Sequence, residues 1–89
     1  MLVLLTKCNT YAKYVESKQQ QKFFNELGDR IAKYRKQRGF SQERLAADSD
    51  IDRVAVGYIE QGRRKPTVTT VYKIAKALGI KLEDLFKGL

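Results

Sequence analysis

The stretch SQERLAADSDIDRVAVGYIEQG, residues 41–62, reads as two short helices separated by a tight polar turn. Ser41 is a good N-cap for the first, which carries Leu45, Ala46 and Ala47 in its interior. Asp52 opens the second, which carries Val54, Ala55, Val56 and Ile59 and stops at Gly62. A turn this short leaves no room for a long antiparallel return, so the two helices must cross steeply.

Helical phase divides the second helix into two faces. At roughly 100° per residue, Ala55, Val56 and Ile59 fall on one side, with Glu60 at its edge. Arg53, Val54, Gly57, Tyr58 and Gln61 fall on the other. The first set is core; the second meets whatever the domain binds. Gly57 is a poor helix residue, costing ~1 kcal/mol relative to Ala, and its outward position reads equally as close backbone approach by a ligand or as a neutral change. Two short helices that cross steeply across so tight a turn form the helix-turn-helix arrangement, whose second helix enters the DNA major groove.

Upstream, Phe24, Leu27, Ile31 and Tyr34 recur at three- and four-residue steps, predicting an amphipathic helix over residues 24–38 that Gly39 ends. Phe40 then turns into the core. Its other face is basic, with Arg30, Lys33, Lys36 and Arg38, while Arg35 sits at the edge of the apolar stripe. Downstream, Gly62 is followed by three cations, Arg63, Arg64 and Lys65, and then Pro66. Thr67 caps a fourth helix carrying Val68, Val71, Tyr72, Ile74, Ala75 and Leu78, closed by Gly79, and a last short helix holds Leu82, Leu85 and Phe86. The first 21 residues say least: the apolar run Leu2 to Leu5 fits a strand or a helix end equally, and helical spacing begins near Thr10. That segment reads either as an arm packing on a partner subunit or on DNA through Lys7, Lys13 and Lys18, or as a frayed terminus.

Composition narrows the function classes. Eighty-nine residues provide one small domain, burying roughly 60–65% of its unfolded surface. The balance of 18 Lys and Arg against 10 Asp and Glu gives +8, which draws polyanions, nucleic acid first. One cysteine, Cys8, rules out an internal disulfide framework, and the absence of histidine removes Cys/His zinc sites and His-based acid–base catalysis. The opening MLVLL is too short for a membrane span and lacks the basic start of a signal peptide, so the expectation is a cytoplasmic protein without enzymatic activity or cofactor.

With SQ at 41–42, the Leu45–Ala46 pair, Gly62–basic–Pro66 and IAKALGIKLEDLF at 74–86, residues 27–89 resemble the phage repressor/Cro-type (XRE) helix-turn-helix transcriptional regulators. The short form, with DRVAVGYIEQG at 52–62, is similar to the controller proteins of restriction–modification systems and to small phage repressors. The resemblance implies an all-α, five-helix repressor-like domain at 23–89 behind an N-terminal extension at 1–22. It implies a cytoplasmic homodimer that binds a near-palindromic double-stranded operator and regulates transcription by blocking or contacting RNA polymerase. Base contacts are expected from Arg53, Val54, Gly57 and Tyr58, and backbone contacts from Ser41, Gln42, Gln61, Arg63, Arg64 and Lys65. The family pairs an Arg at position 35 with a Glu at position 60, so Arg35 and Glu60 are expected to form a structural bridge. Leu82, Leu85, Phe86 and Leu89 are the candidate dimer contacts, with completion of the monomer core as the alternative for Leu82 and Leu85. Asp50 stands where the family has a left-handed Gly, a conformation Asp tolerates. A second reading is an antitoxin or polymerase-bridging protein-interaction module with secondary DNA binding.

Overall fold

Three side-chain oxygens set where the helices of the central region begin. Ser41 Oγ accepts the Arg44 amide at 2.9 Å, Asp52 Oδ2 accepts those of Val54 and Ala55 at 3.0 and 3.2 Å, and Thr67 Oγ1 accepts that of Thr70 at 3.1 Å. Each satisfies a first-turn N–H that has no partner within its own helix. The structure, a computed structural model, describes the backbone of residues 10–89 and the side chains of residues 17–89. The apolar run at 2–5, Lys7, Cys8 and the side chain of Lys13 lie outside the described residues. Within them the chain forms five helices and no strand: α1 Thr10–Gln37, α2 Gln42–Ser49, α3 Arg53–Glu60, α4 Val68–Leu78 and α5 Leu82–Phe86.

The stops are as local as the starts. Asp50 takes φ 56° and ψ 48°, the left-handed cap that ends α2, and Ile51 donates back to the Ala46 carbonyl at 2.9 Å. Gly62, at φ +75°, ends the chain's run through α3, with its amide on Ile59 O and that of Arg63 on Tyr58 O. Both geometries satisfy last-turn carbonyls while turning the chain sharply.

Leu27 and Ile31 of α1, Leu45 and Ala46 of α2, Val56 and Ile59 of α3, Val71, Ile74, Ala75 and Leu78 of α4, and Leu85 of α5 form one buried cluster. Full burial of each large side chain is worth ~1.5–3 kcal/mol, so every helix has a stake in the same core. Phe24, Tyr34 and Phe40 pack at its margin. Two residues grouped with the fourth helix's apolar set do not join it: Val68 is 75% exposed and Tyr72 52%. They sit at i and i+4 along one flank of the buried stripe, with Val68 the first residue of α4.

α1 runs without a break through residues 22–23, where the extension was expected to give way to the domain. Its 28 residues would span ~42 Å, which accounts for a long dimension of 52 Å beside 24 and 19 Å. Two arginines of its basic face act as struts. Arg30 donates to the Asp84 carbonyl in α5 at 3.1 Å, and Arg38 donates to that of Leu78 at the end of α4. They engage helix carbonyls here, as cations near helix C-termini do.

α1 and α3 approach so closely at Gly28 that an added Cβ would lie 2.4 Å from the Ile59 carbonyl oxygen and 2.5 Å from that of Glu60. Backbone cannot step aside as a side-chain tip can. Gly→Ala in a helix interior ordinarily gains ~1 kcal/mol. Here Gly28→Ala is expected to reverse the sign, lowering stability by at least ~1–3 kcal/mol through overpacking, read as a lower urea midpoint with an unchanged slope.

Candidate nucleic-acid interface

α3 is seated by an ion pair beneath it. Arg35 Nε donates to Glu60 Oε2 at 2.6 Å and Arg35 Nη2 to Oε1 at 3.1 Å, a two-pronged bond with both side chains about nine-tenths buried. Arg35 Nη1 continues to the Phe40 carbonyl at 2.8 Å, and Gln42 Nε2 donates to Glu60 Oε1 at 2.8 Å. One carboxylate thus receives donors from α1 and α2 while belonging to α3. Among the described residues no buried side-chain nitrogen or oxygen lacks a partner. Desolvation of such a pair is offset only when its remaining hydrogen bonds are made, as they are here.

With Ala55, Val56 and Ile59 buried, α3 turns Arg53, Val54, Tyr58 and Gln61 outward. Val54 is 53% exposed and Tyr58 40%, an unusual amount of apolar surface for so short a helix. Arg64 lies over the Tyr58 ring at 5.7 Å, joining this face to the loop that follows. Lys65 of the same loop reaches Gln20 Oε1 at 3.3 Å and lies 5.8 Å from the Phe24 ring, while Gln21 Nε2 donates to the Gly62 carbonyl at 2.8 Å. The basic loop is therefore tied back to α1. Arg63, Arg64 and Lys65 are all exposed.

The residues expected to contact DNA do not all reach the surface in the same way. Ser41 is exposed, but its hydroxyl is engaged as the α2 cap. Gln42 is half-buried, its amide nitrogen on Glu60. At this end of α2 the Arg44 amide is taken by Ser41 Oγ and that of Glu43 by its own carboxylate. Gly57 is buried, and the Arg53 guanidinium lies beside it: Nη1 would stand 3.2 Å from a Cβ there.

Arg53 is itself restrained. Its Nε donates to Glu43 Oε2 at 3.3 Å, across from α3 to the first turn of α2. The Glu43 carboxyl is held below the usual carboxylate range, first by its backbone amide and then by the Arg53 side chain. Nothing in the spacing of residues 41–62 marked Glu43; the ten-residue separation becomes a contact only through the crossing of α2 and α3.

At the far end of the domain, Leu85 is fully buried and completes the monomer core, so it has no surface for a partner. This is the core-completing alternative given for it. Leu82, Phe86 and Leu89 are half-buried, and the Phe86 ring stacks on Phe23 at 6.1 Å, with Phe24 edge-on to Phe23 at 5.2 Å.

Comparison with known proteins agrees with this geometry. The helix-turn-helix family HTH_3 matches residues 31–85. The control protein C.MunI of Mycoplasma sp is 38% identical over 64 residues, 71% of this chain and 86% of that protein. An uncharacterized HTH-type transcriptional regulator of Sinorhizobium fredii, y4dJ, is 37% identical over 59 residues, 66% of this chain and 77% of its own length. The crystal structure of the restriction-modification controller protein C.AhdI from Aeromonas hydrophila superposes with a TM-score of 0.70 at 38% identity, covering 71% of this chain and 96% of that one. Among the described residues no helix is long and apolar enough to cross a membrane.

The buried pair sets a stability test. Glu60→Ala is expected to cost ~3–5 kcal/mol by stranding the Arg35 charge. Replacing both partners, as Arg35→Met with Glu60→Leu, is expected to cost clearly less than Glu60→Ala alone. Chemical denaturation of the single and double variants checks the order.

Proposed function

The chain belongs to the HTH_3 (XRE-type) family of helix-turn-helix transcriptional regulators, and we propose that it acts as a homodimer on a near-palindromic double-stranded operator. The observation that carries this reading is the outward face of α3. It offers Arg53, Val54 and Tyr58 together, between the first turn of α2 and the cationic loop 63–65. Arg53 has the fork to bind guanine O6 and N7, and Val54 offers methyl surface to thymine, each a major-groove contact. Tyr58 adds a ring and a hydroxyl. Arg63, Arg64 and Lys65, with the α2 first turn and Gln61, grip the phosphates on either side and fix the register of α3 without reading sequence.

In a dimer, two such helices stand ~34–36 Å apart in successive major grooves. The half-buried apolar surface of Leu82, Phe86 and Leu89 is where the second copy packs. Residues 23–89 are the DNA-binding unit and 1–22 an extension to it. The protein works in the cytoplasm as a binding protein rather than an enzyme, and occupying a promoter regulates transcription by blocking or contacting RNA polymerase.

Arg53→Ala and Arg64→Ala separate the two kinds of contact. On a duplex selected from a random pool by the wild-type protein, Arg53→Ala is expected to lose ~1–3 kcal/mol of preference over a scrambled duplex. Arg64→Ala is expected to weaken both duplexes alike and to lower the slope of log K against log salt by ~0.9. Gel-shift titrations over a salt series measure both; equal losses on both duplexes for Arg53→Ala would sink the assignment of base reading to Arg53.

A further inference from the structure

Gly57 lies on the outward face of α3 by helical phase, yet it is buried. Beside it lies the side chain of Arg53, one turn earlier. An ideal Cβ on Gly57 would stand 3.2 Å from Arg53 Nη1 and 3.9 Å from Gln42 Oε1, with no backbone atom beyond its own helix among its nearest neighbours. Its backbone is ordinary helix, since Gly57 is absent from the glycines of positive φ. Conformation therefore does not call for glycine here, and glycine is less favourable than alanine in a helix interior. The position's one structural consequence is room for a guanidinium.

We propose that Gly57 is a positioning residue, a socket that sets the pose from which Arg53 reads DNA. The inference rests on the base-reading role given to Arg53 above. The guanidinium is fixed on two sides: its Nη1 edge lies across Gly57, and its Nε is tethered to Glu43 Oε2 at 3.3 Å. A long side chain held in one pose before binding gives up less conformational freedom when it docks. A side chain at position 57 would lift the Nη1 edge away from α3 and displace the fork relative to the groove. The obstacle to a Cβ is the tip of an exposed side chain and not backbone, so a shift of that tip accommodates the change without disturbing the domain's packing. This is the opposite of Gly28, where backbone carbonyls stand in the way.

The proposal predicts a split between stability and recognition. For Gly57→Ala, the melting temperature is expected to stay the same or rise. Preference for the wild-type-selected duplex over a scrambled one is expected to fall by on the order of tenfold, with affinity for scrambled DNA unchanged. Gly57→Val is expected to fall further. On an Arg53→Ala background, Gly57→Ala is expected to have no additional effect on either duplex. A loss of the same size on that background would mean the glycine meets the DNA itself and would overturn the socket, as would full discrimination by Gly57→Ala. A second readout needs no DNA: NMR relaxation of the Arg53 Nε–H in the free protein is expected to report greater mobility in Gly57→Ala. Unchanged relaxation refutes the socket whatever the duplexes show. Increased mobility with no duplex preference in the wild type would overturn operator reading and leave the positioning of Arg53 standing.

Discussion

One carboxylate, that of Glu60, holds three helices in register. It accepts both prongs of Arg35 from α1 and the amide of Gln42 from α2, and Arg35 in turn closes the turn after α1 through the Phe40 carbonyl. Apolar contacts between helices are non-directional and would tolerate some rotation of α3 about its axis. A buried, fully bonded ion pair would not, because any rotation strands a charge away from water. The orientation of the outward face therefore depends on a pair buried beneath it.

Close backbone approach reinforces that orientation. Gly28 lets α1 press directly on the last carbonyls of α3, and Gly62, turning at positive φ, packs against Asn25. Gln21 and Lys65 then tie the basic loop to α1. The loop is thus anchored to α1 at Gly62 and Lys65. This matters because phosphate contacts fix the register in which the groove is read. Arg30 and Arg38, two more cations of α1, serve the fold by meeting the carbonyls of α5 and α4.

The reading surface left after these structural duties is small. Gly57 is buried, Gln42 is turned to Glu60, and Ser41 is engaged in its cap, leaving Arg53, Val54 and Tyr58 as the exposed centre. Only Arg53 among them offers a fixed set of donors, and Glu43 holds that side chain before any ligand arrives. In the proposed function, a surface of one Arg and two largely apolar neighbours would draw much of its discrimination from how well Arg53 is placed.

Much of this was legible in the amino-acid sequence because it depends on local chemistry. Ser41, Asp52 and Thr67 cap their helices through bonds spanning two or three residues, Asp50 takes its left-handed turn, and the 3.6-residue period separates Val56 and Ile59 from Arg53 and Tyr58. The family likeness supplied the Arg35–Glu60 bridge, which periodicity alone could not. Other features depend on which helix lies beside which. Leu85 and Leu82 look equivalent in sequence, yet one is fully buried and the other half-buried. Val68 and Val71 belong to one apolar set by composition, but α4 buries only the stripe it turns to the core. The strut roles of Arg30 and Arg38, the intolerance at Gly28 and the tether of Arg53 to Glu43 are contacts between elements. Sequence by itself determined the caps and most of the apolar stripe of the helices from residue 41 on, because those rest on local chemistry; only packing decided how far α1 runs, and which outward residues stay exposed and which are held by a neighbour.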